Sequence, residues 1–213
     1  MSLYVALDGP DGCGKTSQTL ALVEWLRAAG HDVLHVREPG STPVGEALRN
    51  LLLARETGDL DGLTEVLLFS AARTELVRTV IAPALATGKL VVAERCYVAT
   101  LVYQLLASGR ERDVPWFFDL VRRVHGACLP DAVFLLDVPP TVARARRTAR
   151  VEDRIEARGA AYETRVRNGF LAALQLDVRT VGIDAAWPFA TVQSNLRAGV
   201  ARLLAARSAR SER

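Results

Sequence analysis

Short β-branched runs alternate along this chain with longer stretches whose apolar positions recur at helical spacing. The spacing predicts strands near 2–8, 32–37, 89–94, 132–137 and 179–183. Helices are expected near 15–29, 44–54, 62–86, 98–108, 114–126, 140–148, 158–176 and 188–206. Such alternation argues for an α/β fold, a five-stranded parallel sheet with helices on both faces. The first strand, Leu3-Tyr4-Val5-Ala6-Leu7, is nearly all apolar, as a central parallel strand must be. Gly30 reads as the stop of the first helix and Gly88 as that of the long third one. The pattern breaks at 147–157, a run too charged to pack and too short for a domain, and is read as a basic lid over about 143–156. We therefore expect a single domain over 1–206, with 207–213 as a frayed, solvated tail.

Composition narrows the class. At 213 residues, 50% apolar and 24% charged, the chain has ordinary globular usage. No apolar stretch approaches the ~18 residues of a membrane span, and the N-terminus has no export signal pattern, so no membrane partner and a cytoplasmic location are expected. Cys13, Cys96 and Cys128 form no C-x-x-C pair, and His31, His35 and His125 are scattered, so neither a disulfide framework nor a structural metal is indicated. Cys13 faces two readings: a thiol activated by a helix start, or a small filler in a tight loop. The net charge is only +3, although the isoelectric point is near 9.0. Aromatic residues are 6% and not interleaved with the arginines, which points to anionic small ligands and away from nucleic acid.

One segment carries specific chemistry. Gly9-Pro10-Asp11-Gly12-Cys13-Gly14-Lys15-Thr16 fits G-x-x-x-x-G-K-[ST] between a predicted strand and a predicted helix. In that pattern the loop from Gly9 through Ser17 turns backbone N–H groups toward phosphate oxygens at a helix start. Lys15 then reaches the β- and γ-phosphates, and the Thr16 hydroxyl ligates Mg2+. An ordinary glycine-rich turn is the plain alternative.

Other segments are weaker alone. Arg37-Glu38-Pro39-Gly40 follows the second strand, at a carboxyl end where α/β ligands bind. Lys89 to Arg95 ends a buried strand on an acid and a base; Glu94 is the candidate acid for the metal, with Asp137 as rival. Phe69 and Arg73, four apart, share a helix face suited to stacking on and hydrogen-bonding a nucleobase, or merely to a core phenylalanine and a surface arginine. Arg146, Arg147, Arg150 and Arg154 of the lid stand where cations could neutralise a transferring phosphoryl group, or form a solvated basic end.

Taken together and in this order, GPDGCGKT, REPGSTPVGE, LLFSAAR, ERCYVATLVYQ, LPDAVFLLDVPP and DRIE resemble the thymidylate kinase family, over about Leu3 to Ala173. The resemblance implies a three-layer P-loop nucleoside monophosphate kinase fold with a short helical lid, transferring phosphoryl from ATP to dTMP in dTTP synthesis. It implies Mg2+ as cofactor and a homodimer. It assigns Asp11 to the sugar 3′-hydroxyl, Arg37 and Arg95 to the acceptor phosphate, and Phe69 to stacking on thymine. Arg73 and Thr100 would read the base edge, Tyr103 would disfavour ribose, and Gln104 would line the same pocket. The catalytic set would be Lys15, Glu94, Arg95 and Arg150, with Thr16 and Glu94 toward the metal. Glu94 stands where the family usually has Asp, Cys96 where it has an aromatic residue, and Leu105 where it has glycine. A broader pyrimidine monophosphate kinase and a non-catalytic ATP-binding module are the competing readings.

Overall fold

The computed structural model describes residues 2–147 and 153–211. Five strands, β1 (Leu3–Asp8), β2 (Val33–Arg37), β3 (Leu90–Glu94), β4 (Ala132–Asp137) and β5 (Thr180–Asp184), form one parallel sheet in the order β2-β3-β1-β4-β5. β1 lies at its centre, with Leu3 level with Leu90 on one side and Val5 level with Ala132 on the other. Every β1 side chain is buried. The apolar run demands this, since each fully buried Leu or Val contributes about 1.5–3 kcal/mol.

Helices cover both faces. On one lie α1 (Lys15–Ala28) and the C-terminal helix Phe189–Ser211, which pack Leu22, Val23, Leu26, Leu196 and Val200 onto β1 and β4. The other face carries the remaining large core, including Tyr97, Leu101, Phe117, Tyr162 and Phe170. After α1 the chain runs through α2 (Pro43–Leu53) and α3 (Gly62–Leu76). α4 (Tyr97–Thr100) follows β3, and then come α5 (Val114–His125), α6 (Pro140–Ala145), α7 (Ala160–Leu176) and the C-terminal helix, α8.

Three differences from the expected elements have physical causes. The long helix expected over 62–86 changes pitch: α3 passes into a π turn at Val77–Ile81 before Ala82–Ala86. Pro83 has no N–H to give to the preceding turn, and a wider turn before it absorbs the missing bond. α4 likewise opens into a π turn at Leu101–Leu105, then tightens at Leu106–Ser108. The third difference corrects the frayed tail. α8 continues to Ser211, past residue 206, and Arg207 donates to the Ser2 carbonyl and to the Asp131 carboxylate. A cation at a helix end that finds two acceptors holds the helix in place. The charged stretch after 147 also packs at its far end, because its charges are paired: Arg154, Ile155 and Glu156 are all buried.

Candidate active site

The carboxyl ends of β1 and β3 define the site. β1 ends on Asp8, and the loop from Gly9 to Gly14 leads directly into α1. Gly12 and Gly14 both take left-handed backbone angles, φ 86° and 93°. At Gly12 the reason is also steric, since a Cβ there would come within 2.2 Å of the Ala143 carbonyl oxygen. Lys15 folds back over this loop and donates through Nζ to the carbonyls of Gly9 and Pro10, both at 2.9 Å. Cys13 packs in the core beneath the loop, and burial pushes its thiol up against the opposing effect of Lys15. It is the filler, not an activated nucleophile.

The two rival acids separate clearly. Thr16 Oγ1 donates to Glu94 Oε1 at 2.7 Å, which puts hydroxyl and carboxylate side by side at the mouth of the loop. Asp137 is instead held by Arg167 through two hydrogen bonds of 2.9 and 2.8 Å. Among the described residues no three His, Cys, Asp or Glu side chains cluster as a metal cage. The Thr16 hydroxyl and the Glu94 carboxylate are the side-chain groups here that would fit a Mg2+ ion. These are hard oxygen donors, and they suit an ion that keeps several waters and takes its other ligands from substrate phosphates.

Arg95 follows Glu94 in the left-handed region, φ 70°, a strained conformation for a side chain of this size. Its guanidinium bonds Asp11, lies 3.6 Å from the Asp8 carboxylate and sits over the Tyr103 ring. Asp8 holds this corner together and is absent from the expected site residues. Its carboxylate accepts from the backbone N–H groups of Gly9, Cys96 and Ala99 at 2.9, 3.2 and 2.9 Å, tying β1 to the start of α4. Burial raises its pKa, with Arg95 and Lys15 opposing. The signal was present in the sequence, as a single charge closing an otherwise apolar strand.

A second half of the site is built on α3 and α4. Phe69 and Arg73 share one face of α3 and line the same cavity as Thr100, Tyr103 and Gln104. Arg73 is only 3% exposed: its Nε donates to Glu38 at 2.5 Å and its Nη2 to Thr100 Oγ1 at 3.1 Å. It is thus a buried, fully oriented donor and not the surface arginine of the plain reading. Glu38 was read only as part of a loop motif; its carboxyl is buried, and burial raises its pKa while Arg73 lowers it. Tyr103 donates to Asp11 at 2.9 Å, joining the two halves. Arg37 reaches the cavity from β2 with its guanidinium forked onto Glu46 at 2.9 and 3.0 Å.

Of the expected site residues among those described, all except Gly9, Pro10 and Cys13 line one cavity of about 510 Å3, which Arg146 and Arg147 also line. Arg146 donates to the Ala185 carbonyl at 3.1 Å, and Arg147 bonds Glu163. Arg154 is not an available cation: it is ion-paired with Glu65 at 2.7 Å and donates to the Leu52 carbonyl at 2.8 Å. Arg150, expected in the catalytic set, lies outside the described residues.

A phosphate loop opening into a second, arginine-lined slot in the same cavity defines a P-loop nucleotide phosphotransferase of the nucleoside monophosphate kinase class. The model of the thymidylate kinase family matches residues 7–196, and the chain belongs to that family. The thymidylate kinase of Magnetococcus marinus is 39% identical over 196 residues, covering 91% of this chain and 92% of its own. That of Thermomicrobium roseum is 43% identical over 191 residues, 88% and 89% of the two chains. That of Pseudomonas fluorescens is 40% identical over 204 residues, 95% and 96%.

Proposed function

We infer that this chain transfers the γ-phosphoryl group of ATP to dTMP, giving ADP and dTDP. The observation that carries this reading is a cavity lined both by the phosphate loop and by Phe69, Arg73, Thr100, Tyr103 and Gln104. Family membership selects thymidylate as the acceptor. Phosphoryl transfer asks little covalent chemistry of the protein. It asks that two nucleotides be aligned and developing charge be neutralised.

Each half has its own part in this. Lys15 exchanges the Gly9 and Pro10 carbonyls for donor phosphate oxygens, which bind a cation more strongly than neutral carbonyls do. Thr16 and Glu94 would hold Mg2+, which supplies positive charge to the β- and γ-phosphates when bound. On the acceptor side Phe69 lies against the thymine ring, Arg73 and Thr100 meet its edge, and Gln104 closes the slot. Asp11 takes the 3′-hydroxyl while Tyr103 fills the space that a 2′-hydroxyl needs. Arg95 and Arg37 hold the acceptor phosphate. The acceptor phosphate needs no strong base, because its second pKa is about 6 and it is largely deprotonated near neutral pH. We also propose that the chain works as a homodimer in the cytoplasm. No helix among the described residues is long and apolar enough to cross a membrane.

The test is ADP release from Mg-ATP with dTMP, dUMP, dCMP, dGMP and UMP each offered as acceptor. Strong turnover with dTMP, with dUMP a poor second, is expected. Comparable rates on several acceptors, or ATP binding without acceptor-dependent release, would overturn the assignment. Sedimentation across a concentration series tests the dimer.

A further inference from the structure

Glu65 on α3 lies outside every motif of the site, yet it is only 1% exposed. A carboxylate buried that deeply must be paired, and this one has three partners from two distant parts of the chain. Its Oε1 faces Arg154 at 2.7 Å and Arg158 at 2.5 Å, both from the segment leading into α7. Its Oε2 accepts from Gln104 Nε2 at 3.1 Å. Gln104 is itself 1% exposed and lines the acceptor half of the cavity. A carboxylate facing cations only accepts, so the end of the Gln104 amide that faces it must be the NH2 group. The Gln104 carbonyl oxygen is then the end left for the cavity.

We propose that Glu65 is a positioning residue for the acceptor base. It fixes the Gln104 amide so that an acceptor oxygen, and not an N–H donor, is presented to the ring N–H of thymine. Arg154 and Arg158 hold the Glu65 carboxylate in place. Arg154 is held in turn by the carbonyls of Leu52 and Gly58, so the arrangement is braced by the end of α2 and the turn after it. A free glutamine amide could rotate and offer either end. One locked by a charged neighbour rejects a base whose ring nitrogen at that edge carries no hydrogen, because two acceptors would then meet. This inference deepens the dTMP reading and rests on it.

The experiment is a double-mutant cycle between Glu65→Gln and Gln104→Ala, read as separate KM values for dTMP and ATP and as kcat, with dCMP as the mismatched acceptor. Glu65→Gln keeps the shape of the side chain, and Glu65→Asp serves as the conservative rescue. Melting curves identify variants that fail to fold. Expected for Glu65→Gln is a KM for dTMP raised about tenfold, an unchanged KM for ATP, kcat within about twofold, and a reduced preference for dTMP over dCMP. Glu65→Asp should recover part of the dTMP affinity. In the Gln104→Ala background the Glu65→Gln change should add nothing to the KM for dTMP. Additive effects, or equal losses for both substrates, would assign Glu65 to the scaffold alone and overturn the proposal. So would a Gln104→Ala enzyme with unchanged KM for dTMP. Failure of the dTMP reading itself is separately visible, as absent turnover of dTMP by the unaltered enzyme.

Discussion

The two halves of the cavity are built on opposite principles. Around the proposed acceptor base the polar groups are buried and already locked by one another: Arg73 is held between Glu38 and Thr100, and Gln104 by Glu65. On the donor side the polar groups are parked on partners they must give up, Lys15 on two loop carbonyls and the Thr16 hydroxyl on Glu94. A buried, fixed donor set recognises one base shape, because a wrong base leaves a desolvated group unpaired. Exchangeable cations recognise phosphate, whose charge supplies the driving force whatever base it carries. On the proposed assignment, selectivity resides where the side chains are locked, and chemistry where they can exchange partners.

The comparison is broken most severely at Lys15. In Lys15→Ala the donor half loses its only loop cation while the acceptor half is untouched. We expect kcat to fall at least about 1000-fold, or more than ~4 kcal/mol of transition-state stabilisation. dTMP should still bind by calorimetry, and the melting temperature should stay within a few degrees. A variant that loses dTMP binding as well would mean the halves are not separable.

Arg73→Ala tests the other half. Here kcat/KM for dTMP should drop about 100-fold, or ~2.7 kcal/mol, with the KM for ATP nearly unchanged. Because Glu38 is left buried without its cation, the fold should also lose about 3–5 kcal/mol. Arg37 supplies the contrast. Its pair with Glu46 is over 40% exposed on both sides, so Arg37→Ala should cost the fold no more than ~1 kcal/mol. Denaturant titrations of the two variants decide this; equal destabilisation would refute the distinction between locked and exchangeable pairs.

A smaller effect is expected at Thr16. Thr16→Val removes the hydroxyl while keeping the shape of the residue, and it leaves Glu94 at the mouth of the loop. Turnover should fall about 10- to 100-fold, in the range for losing one oriented polar group, and more Mg2+ should be needed for half-maximal rate. An unchanged Mg2+ requirement would place the metal elsewhere.

What the sequence revealed and what it hid divide along the same line. The donor half was legible because its residues are contiguous: strand, loop and helix follow one another, and the loop pattern sets the spacing. All five strands were found within a residue or two at each end, because a buried parallel strand leaves an uninterrupted apolar run. Phe69 and Arg73 could be placed on one face by helical period alone. The locks could not be read in this way. Glu38 meets Arg73 across 35 positions, and Glu65 meets Arg154 and Arg158 across about 90. No local period encodes such a pairing. Arg154 and Glu156 misled for the same reason: a charged run reads as solvated unless its distant counter-charges are known. Arg207 failed similarly, its acceptors lying at the other end of the chain.

The mildest way to sharpen the comparison is acid. His125, at the end of α5, is buried edge-on against Tyr97, with ring centroids 5.5 Å apart, and its Nδ1 lies 3.1 Å from the Cys128 carbonyl oxygen. Burial, reinforced by the nearby Arg73, lowers its pKa to about 3. Because the folded value lies below the ordinary ~6.5, this residue contributes stability that is fully present above pH ~6.5. That stability is lost as pH falls toward 3, by up to ~1.4 kcal/mol per unit. Asp8 and Glu38 work the other way. Burial raises both, so their unfavourable ionisation is relieved as the pH drops. The total slope therefore mixes opposing contributions, and the informative quantity is the difference between the unaltered protein and His125→Phe. Between pH 6 and 4 the unaltered protein should lose about 3–5 °C per unit relative to the variant, whatever constant offset the substitution introduces. Since Tyr97 opens α4, which leads into the Tyr103–Gln104 turn, the KM for dTMP should rise in acid before the KM for ATP does. Parallel melting curves would show that His125 is not held neutral by the fold. A simultaneous rise in both KM values would show that the acceptor half is no more dependent on its buried foundation than the phosphate loop is.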